Sequence, residues 1–146
     1  MSRKYSLKCH IVFCVKYRKK LLSRKHIADT TKETIIGCET DDFHIQVMEV
    51  DKDHINLLVD YTTDVCVSQI VRLLKQMTTI KLWFCYENEL RQQFWKEQVF
   101  WSSGYLVCST GDASTDVIAQ YMQNRDSQFA YIHTTKDRMV YAQSIK

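Results

Sequence analysis

Two hydrophobic periodicities alternate along this chain, and their order constrains its fold more than any other feature of the sequence. The alternating pattern typical of β-strands occurs in residues 5–17, 43–50, 55–60 and 94–109. The helical pattern occurs in residues 27–39, 67–86 and 115–125, and the last of these segments contains Tyr121. The first six segments follow the order β-α-β-β-α-β. The sequence therefore predicts an α+β fold, a ferredoxin-like antiparallel sheet with helices on one face plus a C-terminal tyrosine-bearing helix.

Several polar residues are predicted to share the sheet face that the helices leave open. His54 and Asn56 are two positions apart on one strand, so their side chains leave the same face, and His10 can point to it from the first strand. Tyr121 and Arg125 are four positions apart on the last helix and are therefore neighbours. Taken alone, His54 is more typical of a structural histidine and Tyr121 of a core residue, while His10 suits a substrate contact and an ordinary strand histidine equally well.

The positive charge of the chain is concentrated at its N-terminal end. The net charge is only +3, yet residues 1–28 contain nine Lys and Arg side chains and no acidic residue, so the remaining residues carry −6. A block of positive charge attracts polyanions in a salt-dependent way. It can also be a solvated surface that balances the acidic rest of the chain. The candidate nucleic-acid-binding residues are Lys4, Lys8, His10, Lys16, Arg18, Lys19, Lys20, Arg24 and Lys25.

Two alternative roles are open to four aromatic residues. The side chains of Trp83, Trp95, Trp101 and Tyr105 can stack on unpaired bases, or they can fill the core, which is the commoner fate of large rings in a small domain.

Size and composition indicate one domain in a reducing compartment. A chain of 146 residues suits a single compact domain, and no apolar run reaches the roughly 18 residues that a membrane span requires. The N-terminus lacks the pattern of a signal peptide. The six cysteines have no metal-site spacing, so we expect reduced thiols in a cytoplasmic protein with no membrane partner.

Six segments in succession resemble one known family. They include HIVFCVKYRKK at residues 10–20 and VMEVDKDHINLL at residues 47–58. The others are residues 68–75, 94–97, 100–105 and 121–125. The chain is similar to the single-tyrosine HUH transposases of small single-strand-DNA insertion sequences, the IS200-like family. The resemblance implies one HUH-type transposase domain at residues 1–126, followed by a C-terminal tail at residues 127–146 in which we find no family pattern.

The resemblance also implies a mechanism and partners. In this family two histidines and a glutamine hold a divalent cation, Mg²⁺ or Mn²⁺, and a tyrosine attacks the scissile phosphate to form a 5′-phosphotyrosine. By position, Tyr121 is the catalytic nucleophile and His54 is a metal ligand. The partners implied are single-stranded DNA with hairpins and a second copy of the chain, in a homodimer whose active sites are shared between subunits.

Two of the three expected metal ligands are replaced in this chain. Asn56 stands where the family has its second histidine and is a weak, neutral substitute, while Arg125 stands at the glutamine position and cannot coordinate a cation. One interpretation is a transposase with impaired cleavage, in which Arg125 can contact the phosphate directly. The alternative is a catalytically inactive descendant that only binds single-stranded or hairpin DNA. An unrelated RNA-binding domain is less favoured, because the aromatic RNP1 string is missing.

Overall fold

The computed structural model describes residues 7–109, 129–133 and 139–143, with side chains described for residues 7–108. The strands in this part of the chain are β1 (Leu7–Cys14), β2 (Phe43–Val50), β3 (His54–Tyr61), β4 (Leu106–Ser109), β5 (Phe129–His133) and β6 (Met139–Gln143). They pair antiparallel in one sheet, in the order β2-β3-β1-β4-β6-β5. The helices are α1 (Lys25–Gly37) and α2 (Val67–Phe94). The first four strands and the two helices confirm the predicted α+β fold.

Apolar side chains at alternate positions of the central strands form the core beneath the helices. Ile11 and Phe13 of β1 lie opposite Leu57 and Ile55 of β3, and all four are fully buried. The helix residues in the same core are Ile27, Ile35, Ile70, Val71, Leu74 and Leu82. The alternation in the sequence predicts this face because successive side chains of a strand point to opposite sides of the sheet.

The second face of the sheet is less open than the sequence predicted. Val12 and Cys14 of β1 and Leu106 and Cys108 of β4 belong to this face, and each is at most 2% exposed. The expectation of an open face is therefore wrong at its centre, where apolar side chains are withdrawn from water. The prediction that His10, His54 and Asn56 share a face holds in the strand register, which pairs β1 with β3 along their whole length.

Helix α2 runs further than the predicted end near Tyr86. Tyr86 itself has non-helical dihedral angles, φ −132° and ψ 39°, so the sequence signal coincides with a break in the helix. Beyond the break, Leu90 and Phe94 are buried, and burial of these apolar side chains favours continuation of the helix.

The predicted fourth strand, residues 94–109, is a strand only at its end. Residues 95–105 are otherwise irregular apart from an isolated bridge between Val15 and Trp101. Hydrogen bonds hold this segment to α2, because the Trp83 indole donates to the Val99 carbonyl at 2.9 Å and the Trp101 indole donates to Thr78 at 2.7 Å. Aromatic residues thus anchor a loop here rather than extend the sheet.

The C-terminal strands lie in the predicted tail, residues 127–146, in which the sequence showed no pattern of the family. β6 continues the sheet beyond β4, with Leu106 opposite Ala142 and Val107 opposite Tyr141, and β5 pairs with β6. The division into residues 1–126 and 127–146 stays a prediction. The predicted tyrosine-bearing helix lies outside the described residues. Within the part of the chain that the structure describes, neither helix is long and apolar enough to cross a membrane.

Candidate functional site

His54 and Asn56 occupy the beginning of β3, beside the end of β1. In the register, His54 lies opposite Cys14 and Asn56 lies opposite Val12, so both side chains project from the second face of the sheet. The His54 side chain is 17% exposed, which leaves the ring within reach of a ligand. The predicted pairing of these two residues on one face is thus present in the fold.

A carboxylate orients the His54 ring. Asp53 Oδ1 lies 3.0 Å from His54 Nδ1, and Arg18 Nε lies 3.6 Å from the other oxygen of Asp53. A proton on Nδ1 that is donated to Asp53 leaves the lone pair of Nε2 available, which is the usual arrangement behind a metal-binding histidine. Asp51 Oδ2 lies 4.0 Å from Nε2 and adds negative charge on the same side.

Asn56 supplies the second donor atom. Its Oδ1 is buried and has no hydrogen-bond partner among the described residues. A buried carbonyl oxygen without a partner costs free energy, so a cation at this position would satisfy it. Glu49 of β2 lies opposite Asn56 in the register and is exposed on the same face, a position that the sequence analysis did not single out. His10 Nδ1 on β1 is likewise buried without a partner in the described part.

The His54 nitrogen and the Asn56 oxygen fit an oxygen-preferring divalent cation, as part of a metal site that needs further ligands. An imidazole nitrogen and an amide oxygen leave the same face, and carboxylates lie nearby. Among the described residues, however, no group of three or more His, Cys, Asp or Glu side chains is arranged to hold a metal ion. The remaining predicted site residues, Tyr121 and Arg125, lie outside the described residues, so their roles stay predictions.

The predicted DNA-binding cations fall into three places rather than one surface. Lys8 and His10 lie on the second face of the sheet, where Lys8 Nζ is 3.4 Å from Asp60 Oδ1. Lys16, Arg18, Lys19 and Lys20 follow the end of β1 as a turn that reaches the His54 end of the sheet. Lys4 lies outside the described residues.

The third place is the start of α1, where the cations are neutralised. Arg24 Nη1 lies 2.6 Å from Glu89 Oε2, and Lys25 Nζ lies 2.6 Å from Asp29 Oδ2. Burial alone would raise the pKa of Glu89, but the hydrogen bonds from Arg24 and His26 outweigh it and the pKa is lowered. Lys16 and Arg18 of the turn lie 3.5 and 3.6 Å from their nearest carboxylates and are held less closely, so Arg24 and Lys25 are the weaker candidates for phosphate contacts.

Lys75 is a partly buried cation whose contacts no pattern in the sequence predicts. Its position outside the apolar stripe of α2 predicts a solvent-facing side chain, yet Nζ donates to the carbonyls of Ser102 and Gly104 at 2.8 and 2.6 Å. Burial lowers its pKa to about 7. The side chain lines a cleft of about 620 Å³ between α2 and residues 98–103, whose rim includes Lys16 and Arg72.

The four aromatic candidates separate by burial. Trp83, Trp101 and Tyr105 are at most 7% exposed and belong to the core, whereas Trp95 is 80% exposed. Only Trp95 of these four has a ring available for stacking.

Comparisons with known proteins give the lineage. A family model described as "Transposase IS200 like" matches residues 3–125, and the chain belongs to that family. The ISDra2 transposase TnpA of Deinococcus radiodurans is 25% identical over 122 residues, which cover 83% of this chain and 85% of that protein.

Solved structures agree on the fold. A crystal structure of a candidate transposase from Deinococcus radiodurans R1 matches with a TM-score of 0.73 and 24% identity, over 86% of this chain and 95% of the other. A REP-associated tyrosine transposase bound to a REP hairpin matches with a TM-score of 0.51 and 16% identity, over 86% of this chain and 72% of the other.

Proposed function

We propose that this chain is an insertion-sequence transposase that binds single-stranded DNA hairpin ends and cleaves and rejoins them through a 5′-phosphotyrosine at Tyr121. We further propose that Asn56 and Arg125 impair the cleavage step. The observation that carries this proposal is the paired placement of His54 and Asn56 on one sheet face, with the Asn56 oxygen buried and without a partner in the described part. The family assignment supports the same conclusion.

The residues around His54 have separable tasks in this proposal. Asp53 holds the imidazole through Nδ1 and directs Nε2 outward, and Arg18 holds Asp53. Asn56 offers its amide oxygen from the same face of β3. A magnesium or manganese ion held by these atoms would polarise the scissile phosphate.

The covalent step belongs to Tyr121. Its hydroxyl oxygen forms a bond to phosphorus while the bond from phosphorus to the 3′-oxygen breaks, and that oxygen leaves as a 3′-hydroxyl. The phosphodiester energy is kept in the phosphotyrosine, so rejoining requires no nucleotide cofactor.

Both substitutions weaken ligation rather than the nucleophile. A neutral amide oxygen binds a divalent cation less tightly than an imidazole does where the ion favours nitrogen, which makes Mg²⁺ the better-tolerated ion here. A guanidinium at position 125 repels a cation, although it can contact a phosphate oxygen directly. We therefore expect slow cleavage that depends on Mg²⁺ more than on Mn²⁺.

The proposed partners follow the family. The hairpin in the structure of the REP-associated relative supports hairpin DNA as the ligand of this chain. We propose a homodimer whose active sites combine His54 of one subunit with Tyr121 of the other, acting in the cytoplasm, where its DNA lies. Mixing Tyr121→Phe subunits with His54→Ala subunits tests this arrangement, because shared sites restore cleavage in the mixture and separate sites do not.

A denaturing gel tests the proposed activity. Labelled single-stranded DNA that carries the element's own end hairpin is incubated with protein and Mg²⁺ or Mn²⁺, beside a Tyr121→Phe control. A covalent protein–DNA band that the control lacks supports a working transposase. Hairpin retention on a filter without any covalent band would instead identify an inactive descendant that recognises ends and no longer cuts them.

A further inference from the structure

We infer that Tyr17 and Trp95 form a stacking platform for unpaired bases of single-stranded DNA, flanked by the cations of the turn after β1. This inference rests on the proposed function for the nature of its ligand. It adds a binding surface that is separate from the metal-binding face of the sheet, and it adds two residues, one of which the sequence analysis did not consider.

Both rings are exposed to solvent, and Lys16 Nζ lies 5.5 Å from the centre of the Tyr17 ring. Tyr17 is 59% exposed and Trp95 is 80% exposed, whereas Phe13, Phe43 and Phe100 are at most 2% exposed. Large aromatic side chains contribute most to stability when they are buried. Their exposure forgoes this stabilisation and leaves both rings available for stacking on unpaired bases.

The backbone at these positions is also unfavourable for the residues that occupy it. Within the described part of the chain, the residues other than glycine with positive φ are Tyr17 at 61°, Arg18 at 53° and Trp95 at 58°. Trp95 has ψ −121°, a combination found mainly at glycine. Strain of this kind concentrates at functional sites, because selection for function maintains it against a more stable alternative.

The two turns are held together by their neighbours. Lys16 donates its backbone N–H to the Phe100 carbonyl at 2.9 Å, and Lys16 Nζ lies 3.5 Å from Glu97 Oε2. Lys19 Nζ lies 3.4 Å from Gln93 Oε1 and 5.9 Å from the centre of the Phe94 ring. Lys16 and Lys19 of the first turn thus contact Gln93, Phe94 and Glu97 around Trp95, which places the two rings on neighbouring turns.

The charge of this surface complements a phosphate backbone. Arg18, Lys20 and Lys96 are exposed, and Lys16 and Lys19 are partly exposed. The carboxylates facing them are Glu97, paired with Lys16, and Asp53, paired with Arg18. The surface therefore keeps an excess of positive charge beside two exposed rings, which is the combination that binds single strands without strong sequence preference.

The platform also adjoins the proposed active site. Arg18 Nε lies 3.6 Å from Asp53, and Asp53 lies 3.0 Å from His54. A strand whose scissile phosphate reaches His54 passes this turn. The platform is therefore placed to hold the unpaired nucleotides next to the cleavage point. Duplex DNA keeps its bases stacked inside the helix, so it presents no unpaired base to the two rings.

The test measures binding of fluorescein-labelled dT20 by anisotropy, in low salt and without metal, so that it depends on neither Tyr121 chemistry nor a hairpin. The variants are Trp95→Gly and Tyr17→Asn, because glycine and asparagine tolerate positive φ. We expect each variant to weaken dT20 binding about tenfold, the loss typical of one stacked base. We expect melting temperatures equal to or above that of the unaltered chain, because the backbone strain is relieved.

Phe84→Ala is the matched control, because Phe84 is 84% exposed on α2 and lies outside the platform. It should bind dT20 as tightly as the unaltered chain. The platform hypothesis is contradicted if all variants bind dT20 as tightly as the unaltered chain, or if the unaltered chain does not bind dT20. A change in sedimentation of Trp95→Gly without a change in dT20 affinity also overturns it, in favour of a protein interface. The proposed function is tested separately, by formation of the covalent adduct with hairpin DNA, and does not depend on these outcomes.

Discussion

The hydrogen bond between Asp53 and His54 decides which ring nitrogen faces the proposed site. With Nδ1 engaged at 3.0 Å, Nε2 is the free donor, and the amide oxygen of Asn56 is the next one along the strand. In the proposed metal site, His54 is thus held in the orientation that a ligand needs, whereas Asn56 is the weaker of the two proposed ligands. The defect we propose is therefore one of donor chemistry, and it can be corrected without moving the backbone.

Replacing both altered positions together, Asn56→His with Arg125→Gln, should raise Mn²⁺ affinity about tenfold or more, since imidazole is the stronger ligand and the repelling cation is removed. Metal-dependent adduct formation should rise with it. Electron paramagnetic resonance of free Mn²⁺ measures the affinity, and the denaturing gel measures the adduct.

The same double substitution in a Tyr121→Phe background is the control, and it should gain metal binding without any adduct. Improved metal binding with no gain in cleavage by the Tyr121 chain would place the defect elsewhere, for example in dimer assembly. No improvement in metal binding would contradict the ligation hypothesis itself.

At the scale of elements, α2 and the irregular residues 95–105 depend on each other. Lys75 of α2 donates to two carbonyls of this segment. The Trp83 indole of α2 donates to the Val99 carbonyl, and the Trp101 indole of the segment donates to Thr78 of α2. The segment carries Trp95 at one end and Ser102, which contacts Cys14 Sγ at 3.4 Å, near the other. The loop is therefore ordered by buried polar contacts rather than by strand pairing.

The Lys75 contact predicts a pH dependence of stability. Its pKa is about 7 in the folded chain and 10.5 at its ordinary value, so the unfolded chain holds a proton between these pH values that the folded chain has released. The free energy of unfolding should therefore rise with pH across this window, by at most about 1.4 kcal/mol per pH unit from this group, and be lowest at and below pH 7.

Urea unfolding of the unaltered chain and of Lys75→Met, from pH 6.5 to 9.5 with reductant present, measures the effect. The difference between the two slopes isolates Lys75 from thiols and other groups that titrate in the same range. Parallel stability curves for the two proteins would show that Lys75 has an ordinary pKa in the folded state.

The elements differ in how far the sequence could predict them. The faces of β1 and β3 follow from alternation, because the side-chain direction of a strand is a local property. The partial burial of Lys75 and the pairing of Arg24 with Glu89 depend on residues 27 to 65 positions away, and no local pattern encodes such contacts. For the same reason, the sequence could place His54 and Asn56 side by side but not the Arg18–Asp53 pair behind them.

For the whole molecule, the C-terminal strands are the main departure from the predicted architecture. β6 covers the edge of β4 that would otherwise end the sheet, and β5 becomes the new edge. Unpaired strand edges promote association between chains, so a covered β4 protects the protein from one route to aggregation.

Ending the chain after residue 126 should therefore produce species larger than those of the full chain, because the outer edge of β4 becomes available for pairing. Analytical ultracentrifugation at several protein concentrations measures this. A chain that ends after Gln143 keeps both strands and is the control, and it should sediment like the full chain. Identical sedimentation of the full chain and both shortened chains would mean that β5 and β6 do not protect the edge of β4.

The contact of Arg18 with Asp53 has a thermodynamic consequence. If a DNA strand draws Arg18 away, Asp53 loses its neutralising partner and becomes a stronger acceptor for the His54 ring, which makes Nε2 a better donor to a cation. Strand and metal are then linked ligands, and each must change the affinity of the other by the same factor. A site with weak ligands can in this way remain nearly empty of metal until its substrate arrives.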